Sequence, residues 1–352
     1  MIGSIGKTLR RLAPQLVALI VILGLNAAIS PGFLDISYQN GRLYGSLIDI
    51  LNRGAPVALL AIGMTLVIAT KGIDLSVGAV MAITGAVAAA MITSGSGPAA
   101  AILAAIGVGI LCGLWNGALV SLLSIQPIIA TLILMVAGRG IAQLITEGII
   151  LTFNDPGLIF FGSGHIVGVP MPVILWITLG AAVAMLVRMT ALGMLIEAVG
   201  VNRKASMLAG VGTVFLLFTV YAASGLCAAV AGVIAAADIR GADANNAGLW
   251  LELDAILAVV IGGTSLLGGR FSILGSLIGA MVIQSVNTGI LLAGFKPEFN
   301  LIIKAAIIVV ILIVQSPRAH VFLGFLARQR RSDRRAGPTL QGSASTKERA
   351  AP

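Results

Sequence analysis

The fold is decided by residues 54–93, GAPVALLAIGMTLVIATKGIDLSVGAVMAITGAVAAAMIT, in which two long apolar runs flank a polar turn containing Lys71 and Asp74. Each run is long enough to cross about 30 Å of hydrocarbon as an α-helix. The pattern continues along the chain, which is 58% hydrophobic and 10% charged, with a mean hydropathy of +1.07. This composition lies far from that of soluble domains and indicates an integral membrane protein.

The sequence predicts an all-α, polytopic membrane protein with about ten transmembrane helices. The first apolar run follows Lys7, Arg10 and Arg11 and lacks a small-residue cleavage pattern, so we expect it to be an uncleaved span. The eighth run is the weakest of the set. The predicted spans are residues 12–29, 54–70, 73–93, 98–121, 126–147, 171–187, 213–237, 252–268, 271–293 and 300–316.

The basic residues predict that both termini are cytoplasmic. With the ends inside, 16 of the 22 Lys and Arg residues fall in cytoplasmic segments, as the positive-inside rule requires. We therefore expect a basic cytoplasmic N-terminus (1–11), a transmembrane domain (12–316) and a basic, disordered cytoplasmic tail (317–352). Attraction to anionic lipid accounts for the basic tail without a nucleic-acid partner.

The turn between the second and third spans places a carboxylate, Asp74, among apolar residues. In a structural interpretation, Gly72 ends one helix and Asp74 caps the next by accepting hydrogen bonds from the backbone N–H groups of Ser76 and Val77. In a functional interpretation, a broken helix exposes Asp74 to a central pathway, as discontinuous helices do in transporters. The sequence alone leaves both open.

Small and polar residues recur at helical spacing within the predicted spans. Gly109, Gly113 and Gly117 form one stripe, and Gly275 with Gly279 another, which favours close helix packing. Asn116 is interpreted as an interhelical hydrogen-bonding residue. The cysteines, Cys112 and Cys227, both lie in apolar runs, and neither a disulfide nor a metal site is expected from them.

Ionisable and amide side chains within spans are costly and usually mark a pathway or a structural pair. Arg139, Gln143 and Glu147 are spaced at i, i+4 and i+8 on one face of the fifth span. Arg139 either lines a path, or it snorkels or pairs with Glu147 for structural reasons. A second polar face lies on the ninth span. The predicted substrate pathway consists of Arg139, Gln143, Gln284, Asn287, Thr288 and, in the functional interpretation above, Asp74.

The loop of residues 188–213 is the most informative cytoplasmic segment. Asn202 is placed to cap a short helix over residues 203–209, and Gly210 to end it. Such a helix is suited to act as a lever for a soluble partner, although a helix lying on the lipid surface is the alternative. No catalytic motif or phosphate-binding loop is present, so ATP-driven transport requires an ATPase on another chain.

Three stretches carry a family resemblance: GIDLSVGAVMAITGAVAA (72–89), IEAVGVNRKASMLAGV (196–211) and VVIGGTSLLGGRFSILGSLIGA (259–280). They resemble the permease subunits of bacterial monosaccharide ABC importers of the ribose type, over roughly residues 12–316. Residues 41–70, 127–146 and 239–263 are most similar to the galactofuranose importers within that group. One local departure is Lys71, which stands where those permeases have a small residue.

The resemblance implies a subunit of the bacterial inner membrane without its own catalytic, metal or cofactor site. It implies an ABC ATPase partner that binds ATP and Mg²⁺, a second, related permease chain and a periplasmic sugar-binding protein. The substrate implied is galactofuranose, with another pentose or hexose such as ribose as the alternative. The segment matching the family's coupling loop contains Glu197, Asn202, Arg203, Ala205 and Gly210.

The predicted outer loop of residues 238–254 is expected to contact the binding protein through its charged side chains. Solvated helix caps are an equally ordinary explanation of those charges. An ion-driven secondary transporter remains a further alternative, for which Asp74 and Arg139 are the ionisable relay candidates. The predicted docking residues are Asp238, Arg240, Asp243, Glu252 and Asp254.

Overall fold

The structure is a computed structural model that describes residues 2–39, 41–295 and 297–315. The chain divides after Lys304 into two compact units, and the description below concerns the first. Lys296 and the predicted basic tail from residue 317 lie outside the described residues.

Helices dominate the described part of the chain, and the short strands form three two-stranded antiparallel pairs, β1–β2, β3–β6 and β4–β5. The strands are β1 (Ser37–Gln39), β2 (Arg42–Tyr44), β3 (Leu151–Thr152), β4 (His165–Ile166), β5 (Val169–Pro170) and β6 (Gly241–Ala242). The helices are α1 (Ile2–Ile29), α2 (Ser46–Arg53), α3 (Ala55–Ala69), α4 (Val77–Thr93), α5 (Pro98–Ser121), α6 (Pro127–Ile145), α7 (Pro156–Ser163), α8 (Met171–Met189), α9 (Leu192–Val201), α10 (Arg203–Leu208), α11 (Thr213–Ile239), α12 (Leu251–Ile261), α13 (Ile273–Leu292) and α14 (Pro297–Gln315).

The core of the bundle is built on α3 and α11. Leu59, Leu60 and Ile62 of α3 are fully buried, as expected for a helix that is apolar on every side. The long helix α11 packs against α3, α4, α5 and α7. These two helices therefore position the polar residues that lie between them.

Glycine contacts bring the helices close together, which confirms the predicted packing stripes. A Cβ atom on Gly109 would lie 2.7 Å from the carbonyl oxygen of Gly225, and one on Gly113 would overlap the main chain of Tyr221. On the other side of the bundle, Gly279 is in contact with the carbonyl of Ala258. Substitution at any of these positions would force α5 from α11, or α13 from α12.

Two non-helical segments, which we call interruptions, separate consecutive helices inside the bundle. Residues 70–76 separate α3 from α4, and residues 240–250 separate α11 from α12. With 11 residues, α12 is only about 16 Å long, half the thickness of the hydrocarbon core. Gly248 of the second interruption lies against Gly78 in the first turn of α4, and their main chains touch, so that a side chain on either glycine would overlap the other. We call this contact the crossing.

Within the described residues, six helices are long and apolar enough to cross a membrane, and seven if α2 and α3, bent by 44°, form one span. The predicted helix over residues 252–268 is wrong in its extent, because α12 ends at Ile261. Gly263, with φ +86°, accounts for this end, since a left-handed glycine terminates a helix that hydropathy alone would extend.

Candidate functional site

Asp74 lies in the non-helical segment before α4 and is 2% exposed. Its Oδ1 atom accepts hydrogen bonds from the Ser76 hydroxyl at 2.6 Å and the Ser76 backbone N–H at 3.1 Å. Its Oδ2 atom accepts one from the Ser224 hydroxyl of α11 at 2.8 Å. Asp74 therefore ties the interrupted segment to the core helix, as buried carboxylates require such partners.

The predicted capping role of Asp74 needs a correction. Asp74 accepts from the Ser76 N–H as expected, but the N-cap residue of α4 is Ser76, with helical φ and ψ and no side-chain capping bond. The reason is that one Asp74 oxygen bonds Ser76 and the other bonds Ser224 of α11, so the carboxylate bridges the segment before α4 to α11. The carboxylate thus stabilises the interruption and not the helix end.

The interrupted segment is held from two further helices. Asn116 of α5 donates to the Ser76 hydroxyl at 2.8 Å, which confirms its predicted interhelical hydrogen bond. The Thr131 hydroxyl of α6 accepts from the Leu75 N–H and lies 3.2 Å from the Ile73 carbonyl oxygen. Backbone groups that no helix satisfies are thus satisfied by side chains, which allows a non-helical segment to lie in an apolar bundle.

Arg139 and Gln143 hold the second interruption. Arg139 Nη1 donates to the carbonyl oxygens of Ala244 at 2.9 Å and Ala247 at 2.6 Å. Gln143 Nε2 donates to Asn245 Oδ1 at 2.7 Å. The predicted alternative, an Arg139 pair with Glu147, is not formed: the ion pair found among described side chains is Lys304–Asp254, at 2.9 Å.

The predicted docking residues fall into two groups. Asp238 and Arg240 are exposed, whereas Glu252 and Asp254 are buried. Asp243 is half-buried and accepts hydrogen bonds within its own loop, from the backbone N–H groups of Asn245 and Asn246 and from the Asn246 side chain. Buried carboxylates are unsuited to contact a soluble partner, so the exposed pair is the part of this set that a docked protein can reach.

Glu252 lies at the crossing itself. One of its carboxylate oxygens lies so close to Gly78 that a Cβ atom there would overlap it. Because Glu252 is 3% exposed and Arg139 lies near enough to interact with it electrostatically, charges of both signs flank the two touching main chains. The crossing is therefore lined by ionisable side chains, Glu252 and Arg139.

The polar face of α13 forms a separate group from that of α6. Gln284 is 8% exposed and packs near Gly54, at the end of α2. The Oδ1 atoms of Asn287 and Asn52 are buried and have no hydrogen-bond partner among the described residues. Thr288 is half-buried beside them in sequence. Unsatisfied buried acceptors are uncommon and suit a ligand that carries hydroxyl groups.

The predicted short helix in the 188–213 loop is confirmed as α10, Arg203–Leu208. The Asn202 side chain caps it by accepting from the Ala205 N–H at 3.0 Å, and Gly210 follows it with φ +86°. Leu208 is 88% exposed and Met207 57%. A capped helix with two exposed apolar side chains forms a compact contact surface, to which Ala205 adds a small exposed residue.

This surface is connected to the first interruption. Lys71 Nζ donates to the Val201 carbonyl oxygen, just before α10, at 3.1 Å. The carbonyl of Ala69, at the end of α3, accepts from the Gly269 N–H at 2.9 Å and packs against Gly200 of α9. These contacts join the α9–α10 junction to the chain that leads to Asp74.

Sequence reasoning missed the partners of these residues. Ser224 and Thr131 read as ordinary small polar residues in apolar helices, and the partners of Arg139 are backbone carbonyls, which have no sequence signature. The sequence signal available for Ser224 was the small residue beside it, Gly225. In the structure, Gly63 packs on the Cα atom of Ser224.

An apolar helical bundle that holds non-helical segments in its core, with a capped helix exposed at one end, is typical of a membrane transport protein. The family described as "Branched-chain amino acid transport system / permease component" matches residues 46–312. The chain belongs to this family of permeases and is an integral membrane protein.

The chain is similar to three named sugar permeases. The chain is 62% identical to the galactofuranose transporter permease protein of Escherichia coli K12, over 87% of this chain and 89% of the relative. It is 42% identical to the fructose import permease protein of Bifidobacterium longum, over 90% of each. It is 38% identical to the ribose import permease protein of Escherichia coli K12, over 86% and 93%. No solved structure matches the chain significantly.

Proposed function

We propose that this chain is the membrane permease subunit of an ATP-driven ABC importer for a monosaccharide, with galactofuranose as its substrate. The observation that carries the proposal is the 62% identity to a galactofuranose permease along 87% of the chain. Relatives that import ribose and fructose are less similar, at 38% and 42%. Another pentose or hexose is the second candidate substrate.

The topology we propose has ten spans with both termini in the cytoplasm of a bacterial inner membrane. A helix lies within each of the ten predicted spans. Residues 240–261 form the eighth span as an interrupted one, in which the loop after α11 descends to the crossing and α12 completes the passage. Reporter fusions after Gly95 and after Gly210 test the topology, since the first belongs outside and the second inside.

ATP and Mg²⁺ are proposed to be bound by a partner ATPase, with α10 as the coupling helix. Glu197 lies in α9, Asn202 and Arg203 begin α10, and Ala205 and Gly210 complete the contact surface. Coupling requires that the two states of the ATPase hold α10 differently. The Lys71–Val201 contact then transmits the difference to the segment around Asp74.

The crossing is proposed as the constriction of the sugar path. Arg139 and Gln143 hold one side of it through residues 244–247, so release of these bonds would let that loop separate from Gly78. Gln284, Asn287 and Thr288 offer a second set of hydrogen-bonding groups on α13. Asp74 is proposed to act on this path by holding the segment before α4, since all its contacts are internal.

Two further partners are proposed. A second, related permease chain completes the transmembrane unit, and a periplasmic sugar-binding protein docks on the outer end near Asp238 and Arg240. The exposure of these two side chains supports this assignment. No nucleic acid is involved in the proposed function, and anionic lipid surrounds the basic cytoplasmic ends.

Uptake by the reconstituted complex in vesicles tests the function. Labelled galactofuranose should accumulate with internal ATP and the binding protein, and galactopyranose and ribose should accumulate more slowly. Collapse of the proton gradient while ATP is maintained should leave uptake unchanged. Uptake that follows the proton gradient would instead identify a secondary transporter, and preferential uptake of ribose would refute the substrate assignment while leaving the importer class in place.

A further inference from the structure

A cavity of about 450 Å³ lies at the α10 end of the bundle, apart from the crossing. It is lined by the turn after α3, the α9–α10 junction and α11. Three cationic side chains line it, Lys71, Arg203 and Lys204, and no Asp or Glu does so among the residues the structure describes. The lining is thus strongly positive, with the Asp74 carboxyl behind it, near enough to Tyr221 to interact electrostatically.

One wall of the cavity carries an unsatisfied donor. Tyr221 lines it and is fully buried, and the phenolic oxygen has no hydrogen-bond partner among the described residues. That oxygen lies close to Gly72, where a Cβ atom would be 2.8 Å from it. A buried hydroxyl left unpaired is costly, and a ligand that accepts its hydrogen would remove the cost.

The other lining groups also present donors. Lys71 has φ 65°, a backbone conformation sparsely populated by residues with a side chain. One N–H group of its ammonium donates to the Val201 carbonyl oxygen. An ammonium group has three N–H bonds, so two remain. The oxygen of the Asn202 amide caps α10, which leaves its two N–H bonds available.

We propose that this cavity binds a phosphate group. Ammonium, guanidinium, amide N–H and phenol O–H groups all donate, and the deprotonated oxygens of a phosphate group accept. A phosphate monoester dianion balances two of the three positive charges, whereas the phosphodiester of a lipid headgroup, like a carboxylate or chloride ion, balances one. The cavity has room for an organic group esterified to the phosphate, so the source is either a soluble phosphate ester or a phospholipid headgroup.

A bound phosphate would fasten the α9–α10 junction to the turn that leads to Asp74, because Lys71 and Lys204 belong to these two segments. Uptake would then slow as the phosphate concentration rises. This effect on transport rests on the proposed function, whereas the binding itself does not.

Binding is tested with the full chain alone, in nanodiscs of phosphatidylcholine, by equilibrium dialysis against labelled inorganic phosphate and glucose 6-phosphate. We expect saturable binding that is weakened about tenfold or more by Lys71→Ala or Lys204→Ala, because each removes a charge-assisted hydrogen bond. Tyr221→Phe should weaken binding without lowering the melting temperature, since it removes only the unpaired hydroxyl. Arg188→Ala is the matched control, because Arg188 is exposed on the same end of the bundle but does not line this cavity.

Nanodiscs containing phosphatidylglycerol separate the two sources. If the lipid is the source, these discs should suppress phosphate binding by the wild-type chain, and lipid retained on purification should fall in Lys71→Ala and Lys204→Ala. The proposal is overturned if neither soluble phosphate nor anionic lipid binds in a Lys71-dependent manner. It is also overturned if Arg188→Ala weakens binding as much as Lys71→Ala. Chemical acetylation of Lys71 gives a last test: protection of Lys71 by the ATPase subunit, but by no phosphate compound, would overturn the proposal.

Discussion

The exposed apolar tip of α10 gives the sharpest test of the coupling proposal, through the substitution Leu208→Ala. Complete burial of a Leu side chain contributes about 1.5 to 3 kcal/mol, and 88% of Leu208 is exposed in this chain. Nearly all of that contribution is therefore available to a partner. Since Ala keeps the β-carbon, we expect association with the ATPase to weaken by about 1.5 kcal/mol, or roughly tenfold.

The stability of the permease itself should not change, because an exposed side chain contributes little to the free energy of unfolding. Association is measured between the permease in nanodiscs and the purified ATPase subunit, with thermal unfolding of each variant in parallel. Val167→Ala is the control, because Val167 is 92% exposed but follows β4, at the opposite end of α8 from α9 and α10.

Wild-type affinity in Leu208→Ala would refute the coupling role of this surface and favour a helix that lies on the lipid. Equal losses in Leu208→Ala and Val167→Ala would show that the assay reports general damage. Ala205→Phe extends the test, since Ala205 is exposed in the chain and a bulky side chain there should obstruct only a closely packed partner.

Three further predictions concern the interior and the outer loop. Asp74→Asn should retain most uptake, because the facing hydroxyls can reverse their hydrogen bonds. Asp74→Ala should lower the free energy of unfolding by about 1 to 3 kcal/mol, as measured by thermal unfolding. Loss of uptake in an assembled Asp74→Asn complex would assign the carboxylate to the pathway. Arg139→Ala should accelerate hydrogen exchange in residues 243–250, since two carbonyls lose their donor. Unchanged protection would show that Arg139 does not hold the loop at the crossing. Arg240→Glu should weaken docking of the binding protein, most of all at low salt; docking equal to wild type at every ionic strength would contradict the proposed surface.

Local chemistry made part of this structure predictable. The Asn202 cap and the Gly210 end of α10 follow from residues a few positions apart, and the GxxxG stripe of α5 shows directly that another helix approaches there. Hydropathy located the apolar runs because each must match the bilayer. These features need no knowledge of distant parts of the chain.

The contacts that define the site could not be predicted in this way. Asp74 and Ser224 are separated by 150 positions, and nothing in either neighbourhood specifies the other. Arg139 binds carbonyl groups, which every residue has. The end of α12 was misplaced because an apolar run continues through Gly262 and Gly263, and only the backbone conformation stops the helix.

The main-chain contact between Gly78 and Gly248 limits how such a transporter can diversify. Neither position has a side chain that mutation could shorten or recharge, and any addition would first push the two segments apart. With the crossing in its proposed role as the constriction, we expect changes of substrate preference to arise in the surroundings, through residues such as Arg139 and Glu252. The glycine pair keeps the distance between the two main chains constant, while the side chains around it can vary in sequence.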